Sequence, residues 1–251
     1  MFYKDLNHFK EFNGYDLNGV WYPRVTSILS IKSKPALYKF YGDHDSFESA
    51  ERQKNKSAEE GTLIHDIVEA ILAGKKIEVP RSVEPAIGEF MKFKNKHEIV
   101  PRRIETKIIS RNHHYAGTLD VLADFDGRTG ILDIKTSQAI YRDYSIQTAA
   151  YSEALYEEPD MPPLARWILR IDQAKPCLNG CGAVMREKGG TAKIKNGYRN
   201  SGKCEHQWDD LTGYVELKEL KEFEKDIRAF LAAKALWEWE NDYWLNKIKL
   251  I

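Results

Sequence analysis

The sequence is short of cysteine and has no surplus of either charge. Three cysteines occur in 251 residues. That odd number does not support a disulfide framework and sets the expectation of a reducing, cytoplasmic setting. Lys plus Arg is 38 and Asp plus Glu is 38, so the molecule has no net field to attract a polyanion. Any nucleic-acid binding must come from local patches. Long apolar runs are missing too. The longest stretch without a charged side chain is the ten residues from Pro176 to Met185, half of the roughly 20 that a membrane helix needs, so no membrane partner is expected. Lys4, Asp5, Lys10 and Glu11 interrupt the first twelve residues, which argues against a secretory leader there.

What is present is core material. Hydrophobic residues make up 42% and aromatics 12%, too much for a disordered chain. The length suits one large domain, read here as residues 1–251. Residues 1–34 read as an irregular or short-stranded opening. Pro35 starts a short helix through Tyr41. Residues 46–74 read as helix, because Ile64, Ile67, Val68, Ile71 and Leu72 recur at helical spacing and Gly74 closes the run. Residues 83–97 read as a second helix. The period then becomes two: Arg103–Ser110, His114–Phe125 and Gly130–Thr136 read as strands, the last two joined by the hairpin pair Asp126-Gly127. Helical spacing returns over 144–157. Ala165–Asp172 and Gly213–Leu217 read as strands, and Lys218–Lys247 as a long closing helix whose Trp237, Trp239 and Trp244 are expected in the core. The order predicts an α/β or α+β domain with a central mixed sheet of about five strands, and with an aperiodic insertion, 175–209, between the last two.

The central hairpin carries the chemistry. With a two-residue turn, paired positions sum to 253 and Asp120 lies opposite Asp133; a four-residue loop gives sums of 255 and pairs Asp120 with Lys135 instead, and either register puts all three side chains on one face. The other face, Leu119, Val121, Ala123, Leu132 and Ile134, is expected in the core, and the Asp/Asp/Lys face is expected to be wet. Adjacent carboxylates repel unless something neutralises them. Mg²⁺ or Mn²⁺, oxygen-seeking ions, would do so. The lysine adds a point charge for a phosphate or an activated water.

Taken with its neighbours, this hairpin resembles the PD-(D/E)XK nuclease superfamily, in particular the RecB-like branch that includes the mitochondrial genome maintenance exonucleases. The resemblance rests on Gly61-Thr62-Leu63-Ile64-His65, Ile104-Glu105, Ala116-Gly117-Thr118-Leu119-Asp120, Leu132-Asp133-Ile134-Lys135-Thr136-Ser137 and Gln147-Thr148-Ala149-Ala150-Tyr151, with Tyr22 to Leu29 as the opening segment. It implies a restriction-endonuclease-like core and an Mg²⁺- or Mn²⁺-dependent DNA exonuclease of repair, recombination or replication. It implies metal ligation by His65, Asp120, Asp133 and the Ile134 carbonyl, with Glu105 close by. It makes Lys135 the catalytic lysine, and Gln147 and Tyr151 a brace for site and substrate. The partner implied is DNA with a free end, and a helicase or recombinase partner is compatible. Two alternatives stay open: a structure-selective endonuclease, and a non-catalytic nucleic-acid-binding module on the same fold.

All three cysteines fall in the insertion, as C-x3-C, 22 residues, then C-x-H. Cys177, Cys181, Cys204 and His206 offer four ligands with no open position, which suits a structural Zn²⁺, although zinc sites favour C-x2-C. Some relatives carry a four-cysteine iron–sulfur cluster. The lack of a cysteine before residue 177 argues against one here. Residues 175–203 of it are also basic: Lys175, Arg186, Lys188, Lys193, Lys195, Arg199 and Lys203 stand against Glu187 alone, a net of plus six that suits contact with phosphates.

Overall fold

A computed structural model describes residues 3–32, 35–42, 44–188, 191–198 and 201–248. The chain begins with α1 (Leu6–Asn13), a short hairpin of β1 (Gly14–Leu17) and β2 (Val20–Pro23), and α2 (Val25–Ile28), which runs into a 3-10 turn over Leu29–Ile31. The opening is therefore more helical than its sequence suggests. The signal was a cap: Asp5 accepts the His8 backbone N–H at 2.8 Å, satisfying a donor that the first turn leaves open. Next come α3 (Pro35–Gly42), α4 (Phe47–Leu72) and α5 (Glu84–Lys94). Ser46 caps α4 through the Ser49 N–H, and Gly74, at φ 72°, follows its last turn.

The sheet strands are β3 (Ile99–Ser110), β4 (Tyr115–Phe125) and β5 (Arg128–Lys135), followed by α6 (Asp143–Tyr156) and β6 (Ala165–Pro176). After these come β7 (Val184–Lys188), β8 (Thr191–Lys195), β9 (Thr212–Glu219), α7 (Phe223–Glu240) and α8 (Asp242–Ile248). The sheet order is β3-β4-β5-β6-β7-β8, with β9 also paired to β6. Only β5 and β6 run parallel, and α6 supplies their crossover. The sheet thus has seven strands rather than about five. The added pair, β7 and β8, is a hairpin inside the insertion, where Val184↔Lys195 to Lys188↔Thr191 are in register. Its charged alternation hid it, because period-two reading looks for an apolar face. Arg199 of that insertion lies outside the described residues.

Helices cover both faces of the sheet. Ile64, Ile67 and Val68 of α4 and Ile87 and Phe90 of α5 pack with Val121, Ala123, Leu132 and Ile134. On the other face Ala149, Ala150 and Tyr151 of α6, Phe230 and Trp237 of α7 and Phe9 of α1 pack with Leu122 and Ile131. Leu119 belongs to this second group and not with Val121, so β4 changes face at Asp120. Opposite it, Glu105 has a φ of 48°, and the β3–β4 pairs pass from Ile104↔Val121 to Thr106↔Leu119. A non-glycine residue in that left-handed region is strained.

Two further readings are corrected by packing. The expected closing helix splits at Asn241, and its start, Lys218 and Glu219, belongs to β9. Trp237 is buried and Trp244 stacks on Phe9, but Trp239 is 73% exposed. Residues two apart on a helix point about 200° apart, so Trp237 and Trp239 do not share the core.

Candidate functional site

The hairpin between β4 and β5 sets the geometry. Asp126 and Gly127 both have positive φ, 46° and 78°, the backbone of a type I′ turn. The register is that of a two-residue loop, Phe125↔Arg128 through Val121↔Leu132. Pairing stops there, one step before Asp120 and Asp133. Asp120 replaces the missing main-chain partner: its Oδ2 accepts the Ile134 N–H at 2.8 Å.

The expected wet face is not wet. Asp133 is 0% exposed and Asp120 8%, because α6 roofs the face that an isolated hairpin would leave to solvent. Lys135 Nζ lies 2.6 Å from Asp133 Oδ2 and 5.2 Å from the centre of the Tyr144 ring on α6. Asp133 Oδ1 is buried without a hydrogen-bond partner. Burial, helped by the charge of Asp120, pushes the Asp133 carboxyl up to about 7 against the pull of Lys135. Burial alone would lower Lys135, but Asp133 and Asp120 raise it above the ordinary lysine value.

α4 delivers the other half of the site. His65 Nε2 is 3.1 Å from Asp120 Oδ2 and its Nδ1 is 2.9 Å from Glu69 Oε1. Burial opposes the imidazolium, yet the two carboxylates raise His65 to about 10. Asp120 is held below the ordinary carboxylate range in spite of its burial, by His65, Lys135 and the Ile134 N–H. On the rim, partial burial and the neighbouring Glu69 and Asp120 push Glu105 up to about 7. Ligand atoms of His65, Glu69, Glu105 and Asp120 all lie within 4.8 Å of one another, a group that can hold a metal ion.

The structure thus brings together His65, Glu105, Asp120, Asp133 and Lys135 of the expected set. Asp133 is engaged with Lys135 and stands outside the tight four-residue group. Glu69 is the residue that sequence reading missed. Its signal was present: it follows His65 by four and so shares that helix face. Gln147 Nε2 donates to Tyr151 Oη at 2.8 Å, and the Tyr151 ring occupies the space where a Cβ on Gly117 would sit. The Ala116-Gly117 step is therefore what lets the α6 brace close on β4.

The insertion holds a second group. Cys177 Sγ and Cys204 Sγ are 3.9 Å apart, and Cys181 Sγ is 3.5 Å from His206 Nδ1. All four ligand atoms lie within 4.8 Å of one another, again an arrangement that can hold a metal. Gly180 and Gly182, at φ 67° and 74°, turn the chain tightly around Cys181. Burial disfavours the Cys177 thiolate, but His206 and the Asn179 and Gln207 backbones bring its thiol down to about 6.

No protein-family model matches the chain, and no curated protein matches it. No helix among the described residues is long and apolar enough to cross a membrane.

Proposed function

We propose that the protein is a metal-dependent deoxyribonuclease of the PD-(D/E)XK kind, with a restriction-endonuclease-like core, that acts on DNA ends as an exonuclease. The observation that carries this is the buried Asp133–Lys135 pair beside Asp120, His65 and Glu105. Carboxylates gathered this closely repel one another, and Lys135 and His65 are the only cations the chain places among them in the described residues. The Asp133 Oδ1 buried without a partner, and the Asp133 and Glu105 carboxyls pushed up to about 7 by burial and by their neighbours, fit a site that takes a divalent cation. His65, Asp120 and Asp133, with the Ile134 carbonyl, would hold Mg²⁺ or Mn²⁺, and Glu69 and Glu105 lie close enough to share in it. When bound, the ion supplies Lewis acidity to the scissile phosphodiester and its attacking water.

The chain's own groups do the rest. Lys135 keeps its proton beside two carboxylates and presents N–H donors toward the phosphate oxygens, where negative charge develops during hydrolysis. Tyr144 and the Gln147–Tyr151 pair fix the wall against which that lysine and the substrate rest. Glu69 holds the His65 ring by Nδ1, which leaves Nε2 toward the site. In the insertion, Cys177, Cys181, Cys204 and His206 would hold a structural Zn²⁺. A tetrahedral ion with bonds of about 2.3 Å to sulfur sets its sulfurs roughly 3.8 Å apart, close to the 3.9 Å here.

The test is digestion of end-labelled linear single-stranded and duplex DNA and of a closed single-stranded circle, with Mg²⁺ or Mn²⁺. Loss of the linear strand from its end while the circle survives is expected. Rapid nicking of the circle would mean an endonuclease. No cleavage with either ion, in spite of DNA binding, would leave a non-catalytic binding module.

A further inference from the structure

The insertion does more than carry its own metal ligands. Its hairpin is bolted to the end of the catalytic strand. Arg186 on β7 donates to the Thr136 carbonyl, next to Lys135, and to Asp172 Oδ1 on β6, both at 2.6 Å. Asp172 also accepts from Arg170 Nη1 at 3.1 Å. On the far side, Lys193 of β8 sits 4.6 Å from the ring centre of Phe40 on α3. The hairpin therefore bridges from the sheet to the helical wall.

Two clefts meet beneath it. One, of about 510 Å³, runs from Lys135 past Lys54, Tyr141 and Tyr144 to Arg186 and Lys193. The other, of about 420 Å³, continues from Gln138, Arg186 and Lys193 to Arg170 and Lys195. Together they are lined by six basic side chains and one acid, Asp172, which the two arginines already neutralise. Of the six, Lys54, Lys135, Arg170 and Arg186 are ion-paired with Glu51, Asp133, Glu216 and Asp172, so the positive charge left to the groove is that of Lys193 and Lys195 on β8. Arg186 and Lys193 are partners across the hairpin, and Asp172 already neutralises Arg186. Among the described residues, neither Lys193 nor Lys195 has an ion-pair partner, and both are exposed.

We infer that this groove is a second binding subsite for a nucleic-acid strand, beyond the reacting phosphate. The β7–β8 hairpin grips the phosphodiester backbone through Lys193 and Lys195. The exposed Tyr141 and its neighbour Tyr144 offer ring faces for bases. The Cys177/Cys181/Cys204/His206 knuckle sits at the root of the hairpin: the Cys177 N–H donates to the Ala183 carbonyl, one residue before β7. A metal there would hold the arm over the groove. The inference rests on the nuclease reading for its direction, from Lys135 outward, but its binding test does not need cleavage.

The test uses the full chain with no added divalent ion and no chelator. The affinity for a fluorescent single-stranded 20-mer, and for its duplex, is measured across a range of salt. Lys193→Ala combined with Lys195→Ala is compared with wild type and with a control pair, Lys75→Ala plus Lys76→Ala, at the far end of α4. The hairpin double variant should bind on the order of tenfold more weakly at moderate salt. Its slope of log affinity against log salt should be shallower by about 1.4 for a single strand, or about 0.7 per lost phosphate contact. The control should match wild type. An unchanged slope in the hairpin variant overturns the subsite, even if the enzyme cleaves. A reduced slope in a protein that never cleaves keeps the subsite and discards the nuclease reading.

Discussion

The two metal-competent groups are built on opposite principles. The one at β4–β5 is made by the fold: its ligands come from α4, β3, β4 and β5, and it has no existence until the sheet and helices close around it. It joins hard oxygen donors to one imidazole, with Glu69, Asp120 and Asp133 buried, His65 partly buried and Glu105 exposed at the rim. The one in the insertion is made by its own short segment: sulfur donors and one imidazole, brought together by tight turns at the surface. The first can fold empty, with protons standing in for the ion on Glu105 and Asp133. The second has little apolar surface of its own to hold it, and ordering each residue costs about 1–2 kcal/mol of backbone entropy. Metal should thus be a reagent in one centre and a staple in the other.

The largest expected effect separates them by chemistry. Asp133→Asn or Lys135→Ala should lower the cleavage rate by two or more orders of magnitude, the size associated with losing a ligand or a charge stabiliser. Because the pair is buried, the variants are not silent in stability. Lys135→Ala leaves the Asp133 carboxylate without its cation, at a cost of roughly 3 kcal/mol or more, and should lower the melting temperature of metal-free protein, with partial recovery in Mn²⁺. Zinc content should not change in either variant. Full activity in Lys135→Ala would remove the mechanism.

Next is the converse. Cys204→Ser should release about one zinc per chain and expose residues 177–211 to proteolysis. A structural zinc supplies on the order of 10 kcal/mol of local binding energy, but it is concentrated in the insertion. The sheet should therefore keep its cooperative unfolding and its response to Mg²⁺. Limited proteolysis with elemental analysis reads both halves. A zinc-free protein whose insertion resists protease would abolish the contrast between reagent and staple.

How much of this was legible in the sequence follows the same division. The hairpin and its Asp126-Gly127 turn were, but parity left two registers open, of which the structure takes the two-residue one. The core face of α4 was, with Ile64, Ile67, Val68 and Leu72 buried; on α5 Ile87 and Phe90 were, but Met91, expected on the same side, is exposed. The burial of Asp133 was not. A strand alone does not say whether a helix will cover its polar face, and α6, whose residues 148–152 are all buried, carries too many small and polar side chains to advertise itself as a lid. The face change at Asp120 was also hidden, since it depends on Glu105 adopting a left-handed backbone that glutamate does not favour. In the insertion the ligands were legible from clustering alone. The β7–β8 hairpin was not, because it is held by Arg186, Asp172 and the knuckle rather than by an apolar stripe. Glu69 was overlooked because a glutamate at i+4 from a histidine is common on any helix surface.

The smallest effect is in pH, and it sharpens the comparison without any mutation. Asp133 and Glu105 are raised from ordinary values of 3.8 and 4.5 to about 7. The folded state therefore holds their protons more tightly than the unfolded one, and stability falls as pH rises from about 4 to 7. His65 is raised from 6.5 to about 10. Its contribution is fully present below 6.5 and is lost as pH climbs toward 10. Both signs agree, so protein without a divalent ion should melt at progressively lower temperature from pH 5.5 to 8.5. Mn²⁺ bound there would take over the neutralising role of those protons, and its binding would require their release. The stabilisation by Mn²⁺ should accordingly grow with pH, by about 2–4 °C for each kcal/mol in a chain of this size. The knuckle should behave otherwise, since protonation frees no buried repulsion there. Protons compete with zinc for the Cys177, Cys181 and Cys204 thiolates, so acid should release zinc and make the insertion protease-sensitive, while the metal-free sheet is at its most stable. Melting curves and proteolysis at pH 5.5, 7 and 8.5, with and without Mn²⁺, read the two trends side by side. A melting temperature that responds to pH identically with and without Mn²⁺ would mean that the β4–β5 carboxylates do not hold the ion.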